Sequence, residues 1–321
     1  AALILKSILC LLFCTIVVIS FGKVFGEENN VVGVVTVISL LNFRFSNLDF
    51  KVRQAALTIV GIFGVLSISP YIASISNPFL GFIINFISII GILILTCHNV
   101  RLCNHSILVL SYFLLYGYKV ENTEILINRI IGLIFGGILV ASIFYIKQRK
   151  IEFKNTFIDI INDVDFNTER TKWQLKFAFV TTSAIMIGEF LHIPRVMWIG
   201  IACMSVFHPD KSQLQIRYKQ RMLYMVLGCL MYMSIYFLIP QQFRGLIGLI
   251  GGVMIGFSGT YKWQTVFNAF GALSAATPIL GFGGAIIFRI LNNVFGALYS
   301  KGFDYIINFI DNKEFANVNE A

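Results

Sequence analysis

Charge is scarce in this chain. Only 13% of its 321 residues are Asp, Glu, Lys or Arg, about half the share of an ordinary soluble domain. Hydrophobic residues make up 57%, and the mean hydropathy is +0.80. That balance excludes a water-soluble globule, a disordered tail and a coiled coil. The six cysteines lack the paired spacing of a secreted scaffold and mostly lie in apolar runs, so they read as reduced or lipid-facing. Also missing are a Ser-His-Asp set, paired catalytic carboxylates and a nucleotide fingerprint, so no enzyme activity and no cofactor is expected. Gly281, Gly283 and Gly284 lack the strand-to-helix context of a phosphate loop. The pairs Gly132/Gly136 and Gly252/Gly256 lack it too and read as helix-packing positions.

What the chain does have is apolar runs. A helix needs about 20 apolar residues to cross the hydrocarbon, fewer where protein covers it. Runs fall at 3–22, 31–43, 54–73, 78–97, 106–118 and 128–146, then at 174–192, 195–208, 222–239, 243–258, 264–280 and 284–300. The second, fifth and eighth are short. No small-residue cleavage site follows residue 22 (Gly22, Lys23, Val24 and Phe25 come next), so residues 1–22 read as a first span. The pattern predicts an all-α, polytopic integral membrane protein with about twelve transmembrane helices.

Positive charge orients the spans. With the N-terminus inside, nineteen of the twenty-five Lys and Arg fall in cytoplasmic segments, from Lys6 through the 44–53, 147–176 and 211–221 stretches to Lys313. Lys23, Lys119, Arg129, Arg195, Arg244 and Arg289 lie on the other side or at outer helix ends. The bias predicts both termini in the cytoplasm, with the cell membrane as location. It also accounts for the net charge of +9, which is spread over many loops, so no nucleic-acid partner is expected.

The two halves resemble one another. Val32 to Ser39, followed by a basic loop reaching Arg53, parallels Ile199 to Val206, followed by a basic loop reaching Arg221. Arg129 with Phe135 and Gly136 parallels Arg289 with Phe295 and Gly296. Six spans per half makes these parallel six-helix repeats, related by an axis along the membrane normal. The expected division is 1–147, a cytoplasmic linker over 148–172, 173–302, and a tail over 303–321. In the linker, Ile151, Phe153, Phe157, Ile158, Ile160 and Ile161 suggest a surface helix on the cytoplasmic interface.

Several residues could carry chemistry. Charge inside a membrane costs about 2.5–3.5 kcal/mol on insertion scales and tends to mark a pathway. A guanidinium there can grip a carboxylate through two parallel hydrogen bonds, which makes Arg289 and its equivalent Arg129 candidate anion-binding residues. The alternatives are helix capping or snorkelling, and Arg129 also has Glu121 and Glu124 nearby. Glu189 and His192, clustered with Arg195, could carry protons; a solvated hairpin with a local ion pair is the other reading. Asn268 and Thr277, with Ser274 and Pro278 among small residues, fit either a substrate-facing wall or tight packing. Trp198 could stack an aromatic substrate or serve as a lipid or core contact. Cys97, His98, Cys103 and His105 crowd one connection, but their spacing matches no common zinc module, and no metal is expected.

The second half resembles the fusaric-acid-resistance and aromatic-acid-exporter family of membrane proteins. The matching residues run from Trp198 to Phe207, His208 and Pro209, then Arg217, Arg221 and Gly228, then Pro278, Arg289 and Gly296. The first half fits less closely, with Val31 in place of the Trp and Asn42 in place of the proline, and Tyr224 stands where the family usually has glycine. The resemblance implies efflux of small organic, often aromatic, acids, driven by the proton gradient. The partners would be the substrate anion and the lipid bilayer, and assembly as a homo-oligomer is compatible with it. A passive organic-anion channel and a non-transporting scaffold for envelope assembly are the alternative functions.

Overall fold

The computed structural model describes residues 2–102 and 104–319, and the side chains of residues 5, 8–102 and 104–309. Cys103, and the side chains of Lys6 and Lys313, therefore lie outside the described residues. Among the described residues there are helices and no strand. They are α1 (Ala2–Phe25), α2 (Asn30–Phe43), α3 (Val52–Ile75), α4 (Pro78–Thr96), α5 (Asn104–Gly117) and α6 (Thr123–Gln148). After these come α7 (Phe157–Asn162), α8 (Glu169–Phe190), α9 (Met197–Val206), α10 (Lys211–Leu238), α11 (Leu246–Phe257) and α12 (Tyr261–Asn319).

Gly281 breaks α12, with φ 71° and ψ 165°. That backbone region is nearly closed to residues with a Cβ, so glycine is required there. Its arms, 261–280 and 282–319, join α1–α6 and α8–α11 in covering the twelve apolar runs. Among the described residues, six helices are long and apolar enough to cross a membrane: Ile8–Phe25, Val52–Ile75, Pro78–Thr96, Thr123–Gln148, Lys211–Leu238 and Tyr261–Phe309. Their outer faces carry exposed Leu, Ile and Phe, including Leu9, Leu57, Ile87, Ile131, Leu230 and Ile287. A water-soluble surface avoids so much exposed apolar area, and lipid requires it. This is a membrane protein.

The chain divides into two compact units, the first within Ile8–Phe190 and the second from Leu191 onward. In the first unit, α3 packs on α4, α5 and α6, while α2 packs on α5 and α6 and α8 on α4. Ala55, Ile59, Ile62, Phe63 and Leu66 form the buried stripe of α3. Asn104 ties neighbouring helix ends together: its Oδ1 accepts from Asn42 (3.1 Å) and Ser46 (2.6 Å), and its amide donates to the carbonyls of Asn47 and Thr96. In the second unit, α9, α10 and α11 all pack on α12.

Two glycines at equivalent places in the two units allow close helix contacts. A Cβ at Gly136 would strike Thr36 of α2, and one at Gly296 would lie 2.7 Å from Ala202 Cβ and from the Ile199 carbonyl of α9.

The linker is less helical than its apolar residues suggest. Between α6 and α8 only Phe157–Asn162 is helical, started by a capping box in which the Thr156 hydroxyl and Asp159 carboxylate each accept from the other's backbone N–H. Ile160 is buried; Ile151, Ile158 and Ile161 stay exposed.

Candidate functional site

The second arm of α12 carries Arg289 eight residues past the Gly281 break. The side chain is only 2% exposed, its guanidinium carbon 4.9 Å above the Trp198 ring centroid on α9. Its Nε has no hydrogen-bond partner. The titratable groups that act on it electrostatically are Arg221 and Cys229, with no carboxylate among them. A buried cation normally acquires a carboxylate, because the low-dielectric interior makes an uncompensated charge costly. Here the face of an indole ring is the main compensation.

Arg221 was expected in a cytoplasmic basic loop. The structure instead buries it to 3% exposure, ten residues into α10. Its Nε and Nη2 both donate to Asn293 Oδ1, at 2.9 and 2.6 Å, and the Asn293 amide donates to the Arg289 carbonyl at 2.7 Å. Neither Arg221 nor Asn293 stood out as a site residue in the sequence. A signal was present: Leu214, Arg221, Met225, Gly228 and Tyr232 fall at helical spacing on the buried stripe of α10. Asn292, one residue before Asn293, donates to the carbonyls of Pro194 and Arg195, and its own Oδ1 is buried without a partner. Two guanidiniums and two amides thus face the α9–α10 side of one helix, with a donor and an acceptor left unmet.

Trp198 is itself buried, and its ring serves Arg289. Thr277, on the first arm of α12, donates to the Leu273 carbonyl and lies 3.3 Å from the Tyr232 hydroxyl of α10. Asn268 is half-buried, nine residues or about two and a half turns earlier along the same arm. Neither residue bonds to Arg289. Near the break, Phe282 stacks on Tyr236 with centroids 4.5 Å apart, and the Arg244 guanidinium covers Tyr236 at 4.2 Å. Sequence reasoning had passed over this aromatic group, because its members are scattered over residues 236–282.

Arg129 occupies a different environment in the first unit. It is 3% exposed, its Nε donates to Asn29 Oδ1 at 2.9 Å, and its Nη1 donates to the Tyr118 carbonyl. Asn29 in turn donates to the carbonyls of Phe25 and Ile125. Neutral acceptors therefore satisfy this guanidinium, and they knit the α1–α2 connection to α6.

Glu189, at the end of α8, is half-buried and accepts from the Tyr116 hydroxyl at 2.9 Å. His192 is exposed, with φ 51°, and Arg195 has φ 56°. Elsewhere, Cys97 Sγ lies 3.2 Å from His105 Nδ1, while His98 lies against Asp163 and Arg170. Among the described residues no group of three or more His, Cys, Asp or Glu could hold a metal ion.

The His208–Pro209 turn joins α9 to α10. Asp210 caps α10, accepting from the Ser212 backbone and hydroxyl, and these bonds hold its carboxyl below the usual carboxylate range. The Asp210 N–H donates to His208 Nδ1 at 3.1 Å, so the ring is neutral there. Partial burial and the Arg217 charge hold the imidazole below its ordinary value.

Over residues 183–300 the chain matches the family model described as fusaric acid resistance protein-like. The resemblance read from Trp198, Arg221, Pro278, Arg289 and Gly296 is borne out over that segment, which contains α9, α10, α11 and most of α12. No curated protein and no solved structure matches the chain.

Proposed function

We propose that the chain, matched over residues 183–300 to fusaric acid resistance proteins, is a membrane transporter that expels small organic anions, aromatic acids among them. Resistance to an acid is what expulsion of that acid would give. One observation carries the anion reading: Arg289 is buried on Trp198 with no carboxylate beside it and no acceptor for its Nε. A substrate carboxylate would supply both the missing charge and the missing acceptor. Arg221 adds a second buried positive charge behind it, held by Asn293. Thr277 and Asn268 are the polar positions on the other arm of α12 along which an anion would pass. Arg129, already satisfied by Asn29 and Tyr118, takes the lesser part.

In this reading the chain has twelve spans in two parallel repeats, both termini face the cytoplasm, and the protein resides in the plasma membrane. Supporting the repeat, Arg129 and Arg289 each stand seven residues before a glycine, Gly136 or Gly296. Each of these glycines meets the short helix of its own unit, α2 or α9. One repeat rocking against the other would alternate access. Glu189 and His192 are the groups through which protons would drive the cycle.

Flux of benzoate-type acids from liposomes holding the purified chain, with and without a pH gradient, tests this. The wild type should carry such acids, Arg289→Ala should raise the apparent KM about tenfold or more, and Arg289→Lys should recover part of the loss. Full transport by Arg289→Ala at unchanged apparent affinity would exclude the role.

A further inference from the structure

We propose that the groove between α3 and α4 in the first unit holds one acyl chain of an anionic membrane lipid, with the headgroup at Lys51 and Lys154. The groove encloses about 800 Å³, and its walls include Leu57, Ile62, Val65, Ile92 and Leu95. Both helices are long and apolar enough to cross the membrane. The lining on α3 runs from Gln54 to Ser69, about 22 Å at 1.5 Å per residue. One leaflet contributes about 15 Å of hydrocarbon, so a full acyl chain fits lengthwise.

The walls favour an apolar occupant. Thr58 and Ser88 turn their hydroxyls onto their own helices, at the carbonyls of Gln54 (2.9 Å) and Ile84 (2.7 Å). Gln54 spends its side-chain oxygen on the Phe157 N–H at 2.8 Å. A solute carrying polar groups along its length would find few partners there. Gly61 and Gly91 keep the channel open: a Cβ at either would meet nothing within 4 Å.

The cytoplasmic end supplies the charge. There α7 closes the groove with Phe157 and Ile158. The Lys51 N–H donates to the Asn155 carbonyl at 2.9 Å, which brings Lys51 and Lys154 to the same mouth. Both are exposed, and so is Arg53 on the adjacent turn. The Asp159 carboxylate, which accepts from the Thr156 N–H and hydroxyl, also acts on Lys51 and offsets part of that charge. A basic mouth on an apolar slot at headgroup depth is complementary to an anionic phospholipid.

The test uses the full chain in nanodiscs of equal phosphatidylglycerol and phosphatidylcholine, released and counted for bound lipid by native mass spectrometry. One phospholipid should be retained, with phosphatidylglycerol favoured about fivefold. Gly91→Leu, or Gly61→Leu where the first does not fold, should lower retention about tenfold. Gly64→Leu, which also points into open space but outside the groove, should keep the lipid. Lys51→Gln combined with Lys154→Gln should keep a lipid while levelling the headgroup preference. A phosphatidylglycerol with a photoactivatable acyl chain should crosslink the wild type within residues 54–69 or 87–95. Undiminished retention in the glycine variants, an absent headgroup preference in the wild type, or crosslinks confined elsewhere would each overturn the proposal. Displacement of the lipid by millimolar benzoate would overturn it as well, assigning the groove to the transport path; loss of flux in Arg289→Ala bears on neither result.

Discussion

Arg221 and Asn293 act as one buried unit, because a single amide oxygen receives two of the guanidinium's N–H groups. Removing that oxygen leaves a buried charge without its acceptor, while removing both partners leaves only a volume to fill. Asn293→Leu should therefore destabilise the solubilised protein by about 3 kcal/mol. Adding Arg221→Met to it should restore part of that loss, as read from denaturation midpoints in a double-mutant cycle. Equal, additive losses would show that the two side chains do not depend on each other.

His208 gives a second residue-scale prediction, in pH. The unfolded chain binds a proton near the ordinary value of 6.5, and the folded chain holds it off to lower pH. The ring's contribution is thus complete above about pH 6.5 and is lost as pH falls through the folded value. Amide exchange over residues 207–212 should speed up between pH 7 and 5 beyond its intrinsic rate, and His208→Gln should flatten that response.

Arg289 was legible as a site residue because a charge inside an apolar run stands out. Arg221 was not, because Arg217, Lys219 and the basic loop disguise it as one more topology charge. Only its helical register with Met225 and Gly228 separates it from them.

At the scale of elements, the twelve apolar runs translate into helices because hydrophobic continuity and breaks at loops are local properties. The run boundaries fail at charged helix starts: α8 begins at Glu169 and α10 at Lys211, ahead of the runs at 174 and 222, with polar and charged first turns that no hydropathy threshold admits. The linker helix was harder to read. Its apolar residues serve partly as lids: Phe157 edges onto Phe50 and Ile160 is buried, so their pattern reports docking more than helical period.

The break in α12 rests on Gly281, whose φ of 71° strains any residue with a Cβ. Gly281→Ala should cost about 1–3 kcal/mol in stability and shift the relation between the two arms. Cysteine crosslinking across the break, tested in the variant and the wild type, would detect that shift; identical crosslinking would mean the break does not depend on glycine. Gly296→Leu should be worse, since α9 backbone already lies where the new side chain would go.

For the molecule as a whole, the proposed proton-driven transport rests on groups that sit in different units. Glu189 closes the first unit and Arg289 lies within the second. The Tyr116 hydroxyl of α5 donates to Glu189 Oε1 of α8 at 2.9 Å. Glu189→Gln keeps the size of the side chain and an acceptor oxygen but removes the titration. In liposomes it should abolish acceleration by an imposed pH gradient while leaving slow, gradient-independent exchange of labelled acid across the membrane. If Glu189→Gln kept full response to the gradient, the proton would have to enter elsewhere, with His192 the next group to vary. If the wild type showed no gradient response while still carrying acid, the protein would conduct anions passively, and the buried arginines would keep their role without a proton partner.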